Sequence, residues 1–237
     1  MWNGLKPFRL SLTYFVAWYI IPLIHLYYNM VKKLNRIQVQ EKLKDSGLVV
    51  FSPREFYDVF GVSPKTGSVF ISRNIKSGLF LKLRNNYYML KDSHPPLYTI
   101  ANKLYQPSYV SLESALSHYG IIPEVVYTVT SVTTKPTREF KTPKSVFSYQ
   151  RIKKSVFAGY SPVSIEGNIV LLAEPEKALA DYLYFVDLKT TVLNDRLNLK
   201  NIHKGKLLRF IQSFKRKSLL KKVTDIYAEQ RKPRKIY

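Results

Sequence analysis

Apolar and polar positions between residues 34 and 93 follow first a helical and then a strand period. The stretch from Leu34 to Ser46 has helical spacing, which predicts a first helix. We expect its apolar positions Leu34, Ile37 and Leu43 to reach a common core.

Two more helices are predicted directly after it, joined by a tight turn. Ser52, followed by Pro53 and by Glu55 at the capping-box position, predicts a helix start, and Gly61 ends that helix. Ser63-Pro64 repeats the start signal almost at once. This spacing predicts a helix-turn-helix arrangement.

At 100° per residue, the second of these helices has two unlike faces. Gly67 lies at the centre of the apolar face, where the absence of a side chain lets the helix approach its neighbour closely. The opposite side mixes cations, hydroxyls and one valine, which suits a helix in the major groove of DNA. The candidate DNA contacts on this helix are Lys65, Thr66, Ser68, Val69, Ser72, Arg73 and Lys76.

A β-hairpin is predicted to follow. Alternating residues from Leu79 to Arg84 have strand spacing, Asn85-Asn86 favours a tight turn, and Tyr87–Leu90 returns as the partner strand. Helix, turn, helix and hairpin together have the order of a winged helix. The hairpin adds Lys82, Arg84, Asn85 and Asn86 to the candidate DNA contacts, and Arg84, Asn85 and Asn86 are expected to project from its tip.

The rest of the chain mixes helical and strand patterns. A helix capped by Ser111 and ended by Gly120 is predicted, then short β segments, then the helix of EPEKALADYLYF. On that last helix we expect Ala178, Leu179, Tyr182 and Leu183 to face inward and Asp181 to face solvent.

The predicted fold class is α+β, an N-terminal winged helix-turn-helix followed by a mixed α/β C-terminal domain with a β-rich middle and a helical end. The predicted segments are an apolar leader (1–29), a winged helix-turn-helix DNA-binding domain (30–93), a linker (94–107), an α+β domain (108–190) and a basic helical C-terminal segment (191–237).

Charge changes this picture by pointing to a polyanionic partner. The 237 residues carry 38 Lys+Arg against 16 Asp+Glu, a formal net charge of +22. The excess occurs in blocks, since no carboxylate lies between Asp58 and Asp92. Such a balance favours nucleic acid or an anionic membrane surface. The absence of cysteine excludes disulfides and thiol nucleophiles and is consistent with a cytoplasmic location.

The leader has three interpretations. Leu10–Tyr28 is uncharged and long enough to cross a bilayer, although Pro22 weakens a membrane-anchor interpretation. A cleavable signal peptide fits less well, because no small-x-small cleavage site follows the apolar run. Alternatively, the natural protein starts at Met30, and the leader is an upstream translation. With either an anchor or a start at Met30, the basic remainder is expected in the cytoplasm, and any membrane contact passes through residues 10–28.

A second acid-free block lies between Asp195 and Asp225. Within it, residues spaced for one helical face predict a basic amphipathic helix. These residues are Leu207, Phe210, Ile211, Phe214 and Leu219. Three uses remain open: a second DNA or RNA contact, a membrane-surface helix, or a helix docked on the domain with a cationic back.

The sequence predicts no catalytic site, metal or cofactor. No histidine pair has ligand spacing, and no phosphate-binding glycine motif is present. Glu174, Glu176 and Asp181 permit one enzymatic alternative, a nucleic-acid-processing, nuclease-like domain positioned by the winged helix. Helix-start charge and a solvated face explain the three carboxylates more simply. A membrane-tethered interaction protein is the other alternative.

PSYVSLESALSHYG at residues 107–120 and AEPEKALADYL at 173–183, after a winged-helix pattern, resemble the AbiEi family of type IV abortive-infection antitoxins. The resemblance covers roughly residues 42–185. It implies a winged helix that binds double-stranded DNA at promoter inverted repeats and represses its own operon. It also implies that the domain at 108–190 counteracts a nucleotidyltransferase-like toxin without forming a stable complex. The apolar leader departs from the family pattern.

Overall fold

A computed structural model of the chain describes the backbone of residues 34–230 and the side chains of residues 34–228. The apolar leader and the C-terminal tail RKPRKIY lie outside the described residues. The described part contains eight α-helices and two sheets, so the fold is α+β. The chain divides into two compact units, with the boundary between Leu81 and Lys82.

The helices and strands of the first unit, with the hairpin that crosses its boundary, confirm most of the predicted order. They are α1 (Arg36–Asp45), β1 (Val50–Phe51), α2 (Pro53–Phe60), α3 (Pro64–Lys76), β2 (Phe80–Arg84) and β3 (Tyr87–Leu90). The two-residue strand β1 was not predicted. The three strands form a sheet in the order β1-β3-β2.

The core of the first unit is aromatic. The rings of Phe56 and Phe60 lie 4.5 Å apart between centroids, and Phe51 packs edge-on against Phe80 at 5.2 Å. Phe70 of α3 stacks on Phe56 at 5.9 Å. These contacts attach α3 to α2 by its apolar face.

The predicted core face of α1 is partly wrong. Leu43 is buried as expected, but its buried companion is Val39, while Ile37 is 66% exposed and Leu34 is half-buried. The reason is helical phase, because Ile37 precedes Leu43 by six residues and so lies about 120° away around the helix. Val39 precedes Leu43 by four residues and shares its face.

The second unit is built on a six-stranded mixed sheet of order β6-β7-β5-β4-β9-β8. Its strands are β4 (Ser108–Val110), β5 (Thr128–Thr133), β6 (Arg138–Lys141), β7 (Val146–Arg151), β8 (Tyr160–Ile165) and β9 (Asn168–Ala173). Its helices are α4 (Leu97–Leu104), α5 (Leu112–His118), α6 (Pro175–Asp187), α7 (Lys204–Ser213) and α8 (Lys217–Gln230).

Helices α4 and α6 cover opposite faces of this sheet. The Tyr149 hydroxyl on β7 donates to the Ala101 carbonyl of α4 at 2.6 Å, whereas the Tyr109 hydroxyl on β4 donates to Asp181 of α6 at 3.0 Å. Tyr149 pairs with Ser131, which pairs with Val110, the neighbour of Tyr109. Because paired residues point to one face and successive residues to opposite faces, the two tyrosines point apart.

Helix α4 lies in the segment 94–107, which the sequence predicts to be a linker with a short helix that bridges two units. Its Ile100, Ala101 and Leu104 are fully buried, and its Asn102 side chain exchanges two hydrogen bonds with the backbone of Leu171 on β9. The segment is therefore part of the second unit, because its apolar face needs the sheet to cover it.

The basic C-terminal segment forms two helices rather than one. Lys215 has a φ of 55°, and the chain bends there between α7 and α8. Leu207, Ile211 and Leu219 are completely buried. Of the three uses left open, the docked apolar face with a cationic back is the one that these buried side chains support within the described residues.

We predict that Gly67 sets how closely α3 packs on α2. A methyl group at Gly67 would overlap the ring of Tyr57. Gly67→Ala should lower the free energy of unfolding by about 1–3 kcal/mol, although alanine favours a helix by about 1 kcal/mol over glycine. Urea unfolding of the full chain measures this.

Two companion variants isolate the close contact. In a Tyr57→Ala background the ring is gone, so Gly67→Ala should raise stability by up to about 1 kcal/mol. Ser72→Ala, on the exposed face of the same helix, should change stability by less than about 0.5 kcal/mol. Stabilisation by Gly67→Ala with Tyr57 present would contradict the packing argument.

Candidate nucleic-acid interface

The turn between α2 and α3 is held by capping at both ends. The Ser52 side chain and Glu55 form a capping box at the start of α2, and Gly61 ends that helix with a φ of 59°. Ser63 then caps α3, its hydroxyl accepting from the Thr66 amide at 3.2 Å. These local bonds fix the end of α2 and the start of α3, so two capped helices follow each other across a short turn, as the sequence predicts.

The inner face of α3 carries Gly67, Ile71 and Asn74, all buried. Asn74 is polar, and its amide group donates to the Phe70 carbonyl of its own helix at 2.9 Å. With the inner face fixed on α2, the opposite face of α3 must point outward.

All seven candidate contacts on α3 are exposed, and we call them the α3 outer face. They are Lys65, Thr66, Ser68, Val69, Ser72, Arg73 and Lys76. Val69, the apolar member, is 43% exposed. An exposed valine among cations and hydroxyls is available for an apolar contact.

The cations of this face have no carboxylate partner within the described part of the chain. No ion pair found there involves Lys65, Arg73 or Lys76. Two hydroxyls are engaged internally, since Ser68 bonds the Tyr57 hydroxyl at 2.5 Å and Thr66 bonds Ser63 at 2.9 Å. The positive charge of the face is therefore uncompensated, while part of its hydroxyl content supports the fold.

The β2–β3 hairpin presents three of its four candidate contacts. Lys82, Asn85 and Asn86 are exposed, and Asn86 has the positive φ, 63°, that the tight turn needs. The hairpin and its turn are as predicted.

Arg84 differs from the expectation that it projects from the hairpin tip. It is half-buried, and its Nε and Nη2 both donate to the Leu104 carbonyl, at 2.9 and 2.5 Å. Its guanidinium also lies over the rings of Tyr87 and Phe140. Leu104 is the last residue of α4, where a free carbonyl and the helix dipole both attract a cation. Arg84 thus caps the C-terminal end of α4.

The three carboxylates of the nuclease alternative do not converge. Among residues 34–228, no group of three or more His, Cys, Asp or Glu side chains could hold a metal ion. Glu174 and Glu176 both pair with Lys206, at 3.0 and 3.4 Å. Glu176 also accepts from the His203 backbone N–H at 3.0 Å. Burial opposes ionisation of Glu176, but the His203 amide and the Lys206 ammonium hold its pKa below the ordinary value.

The sequence suggested that Asp181 lies on a solvated face, but the structure places it in the interior. It is completely buried and accepts hydrogen bonds from Tyr109 at 3.0 Å, Ser111 at 2.9 Å and Lys177 at 2.5 Å. Ser111 therefore uses its hydroxyl here and makes no side-chain cap for α5. Burial raises the pKa of Asp181, and the Lys177 ammonium opposes that rise.

We call Tyr109, Ser111, Lys177 and Asp181 the buried quartet. Lys177 is 1% exposed, and its ammonium lies 4.9 Å from the centre of the Phe214 ring. The spacing of Lys177 and Asp181, four residues apart on a helix of buried apolar positions, was a signal for this pair. The carboxylate is enclosed and accepts hydrogen bonds at both oxygens, and the quartet joins α6 to the β4 region.

Comparison of the whole chain with protein-family models and with curated protein sequences found no match. Within residues 34–230, no helix has the length and apolar content that a membrane crossing requires.

We predict that either half of the buried pair is costly to lose alone. Asp181→Ala or Lys177→Met leaves an uncompensated charge in the interior and should lower the free energy of unfolding by about 3–5 kcal/mol. The double variant Lys177→Met/Asp181→Leu should lose much less than the sum of the two. Urea unfolding of all three variants measures the coupling.

The exposed pair of Lys141 and Glu139, 4.0 Å apart, provides the control. Glu139→Ala should cost no more than about 1 kcal/mol because solvent screens that pair. Additive losses at Lys177 and Asp181, or losses as small as the control, would contradict the interpretation.

Proposed function

We propose that this chain is a DNA-binding transcriptional autorepressor and the antitoxin of a type IV toxin–antitoxin pair. The observation that carries the DNA-binding half is the α3 outer face, where Lys65, Arg73 and Lys76 are exposed without a carboxylate partner in the described residues. DNA phosphates supply the missing counter-ions.

In this proposal, residues 34–90 form a winged helix-turn-helix, with α3 as the recognition helix. Three helices followed by a hairpin support it, as does the capped turn before α3. Arg73 and Lys76 reach phosphates or guanine, Ser72 reaches either a base or phosphate, and Val69 packs on a thymine methyl. Lys82, Asn85 and Asn86 of the hairpin bind the DNA backbone, while Arg84 acts structurally.

The antitoxin half extends the resemblance of residues 107–120 and 173–183 to the AbiEi family. Those two stretches form β4 with α5 and the start of α6, and the buried quartet joins them. The stretches that carry the resemblance are thus joined in one structural unit. This unit counteracts a nucleotidyltransferase-like toxin, and the chain acts in the cytoplasm without catalysis of its own. The separation of Asp181 from Glu174 and Glu176 gives the nuclease alternative no support.

Charge reversal on the α3 outer face tests the DNA-binding half. With a fragment from upstream of its own gene, the full chain should bind with a log-affinity against log-salt slope of about −5 to −6, if about six phosphates are contacted. Arg73→Glu/Lys76→Glu should weaken binding about a hundredfold or more, measured by fluorescence anisotropy.

Lys42→Glu/Lys44→Glu is the matched control, because it makes the same change of net charge at two exposed positions of α1. It should lose only a small part of the affinity. A slope near −1 for the parent, or equal losses in both variants, rules out α3 as the recognition helix.

Co-expression tests the antitoxin half separately. The reading frame beside this gene should encode a nucleotidyltransferase-like toxin, and the full chain should restore growth to cells that express it. Arg73→Glu/Lys76→Glu should still protect those cells when both genes are driven from a foreign promoter, because neutralisation is assigned to residues 108–190. Growth arrest that persists with the parent chain contradicts the antitoxin assignment.

A further inference from the structure

Residues 196–224 contain ten cations and no carboxylate. The structure separates these cations into two groups. Three are paired: Arg196 with Glu124, Lys206 with Glu174 and Glu176, and Arg216 with Asp187. The other seven have no carboxylate partner among the described residues. We call these seven the C-terminal cationic face; they are Lys200, Lys204, Arg209, Lys215, Lys217, Lys221 and Lys222.

Five of the seven unpaired cations lie on α7 and α8, whereas Lys200 precedes α7 and Lys215 lies in the bend between the two helices. The buried side of α8 carries Leu219, Val223 and Ile226, and Lys217 and Lys221 lie on the opposite side at 100° per residue. On α7, Arg209 lies opposite the buried Leu207 and Ile211. Six of the seven cations are exposed and Lys222 is half-buried.

This arrangement is more one-sided than an ordinary solvated face. Solvated helices commonly alternate both signs of charge, since opposite charges one turn apart stabilise the helix and like charges destabilise it. Here Lys217 and Lys221 stand one turn apart with the same sign, and the first carboxylate after them is the exposed Asp225. The local cost in helix stability is offset when an anionic partner binds.

We propose that the C-terminal cationic face is a second nucleic-acid contact, which binds the phosphate backbone without reading sequence. A phosphate backbone fits because the face offers point charges on long side chains and few hydroxyls or aromatics for base recognition. Lys204 differs from the other members of the face because it has a cation–π contact, with its ammonium 5.0 Å from the centre of the Tyr227 ring. The face is therefore expected to add affinity and salt dependence, not specificity.

Triple charge reversal tests this inference with random-sequence duplex DNA as the probe. Lys215→Glu/Lys217→Glu/Lys221→Glu in the full chain should weaken binding about tenfold or more. It should also reduce the magnitude of the log-affinity against log-salt slope by about 3, one unit for each lost phosphate contact. The neutral variant Lys215→Gln/Lys217→Gln/Lys221→Gln should lose the same slope with a smaller loss of affinity and keeps the test valid if charge reversal unfolds the helices.

A matched control separates this face from net charge. Arg138→Glu/Lys141→Glu/Arg151→Glu makes the same charge change at exposed positions of β6 and β7. It should lose less than about threefold in affinity. Equal losses in the two triple variants overturn the proposal. Unchanged DNA binding with lost binding to phosphatidylserine vesicles also overturns it and assigns the face to a membrane surface.

The loss of affinity expected for the C-terminal triple variant does not depend on whether the α3 outer face binds DNA. With the promoter fragment, the C-terminal triple variant should lose affinity for specific and random DNA by the same factor, so the preference between them is kept. Arg73→Glu/Lys76→Glu should reduce that preference. Each assignment can therefore fail while the other stands.

Discussion

The close approach of α3 to α2 at Gly67 is the constraint from which the proposed interface follows. The Tyr57 ring occupies the space in which any other residue at Gly67 would place its Cβ. With that side of α3 in contact, Arg73 and Lys76 have only the solvent side available. The exposure of charge is thus a consequence of packing on the opposite face, because a helix fixed on one side has its other side determined by the 3.6-residue period.

A different principle organises the second unit, where polar groups are used inside. Asp181 bonds residues 72 and 70 positions away in the chain, and each of those bonds connects α6 to the β4 region. A buried ion pair adds little net stability compared with an apolar core, but its partners must all be present and correctly placed. The quartet therefore specifies one register of α6 on the sheet more strictly than leucines would.

Features that depend on neighbouring residues could be predicted from the sequence, whereas features that depend on distant partners could not. The caps at Ser52 and Ser63, the end of α2 at Gly61 and the inner position of Gly67 were correct because each signal lies within a few residues of its effect. The expectations that Asp181 faces solvent and that Arg84 is presented at the hairpin tip were wrong, because the partners of both side chains are distant in sequence. Nothing near Arg84 indicates that the end of α4, 20 residues away, supplies the carbonyl it binds. The misplaced Ile37 was a phase error that the sequence alone could have corrected.

The number and positions of the carboxylates explain why many cations on the outside of the protein have no carboxylate partner within the described residues. Glu174, Glu176 and Asp187 each bind a cation of the C-terminal segment, and Asp181 binds Lys177 within the core. These four carboxylates are used at contacts within and between helices, and the 16 Asp+Glu of the chain are in any case too few to balance its 38 Lys+Arg, which leaves a net charge of +22. Repulsion among those cations is weak at short Debye lengths but grows as salt is lowered. A polyanion removes it most effectively when it spans several of them, which is why salt dependence is the most direct measure of either cationic face.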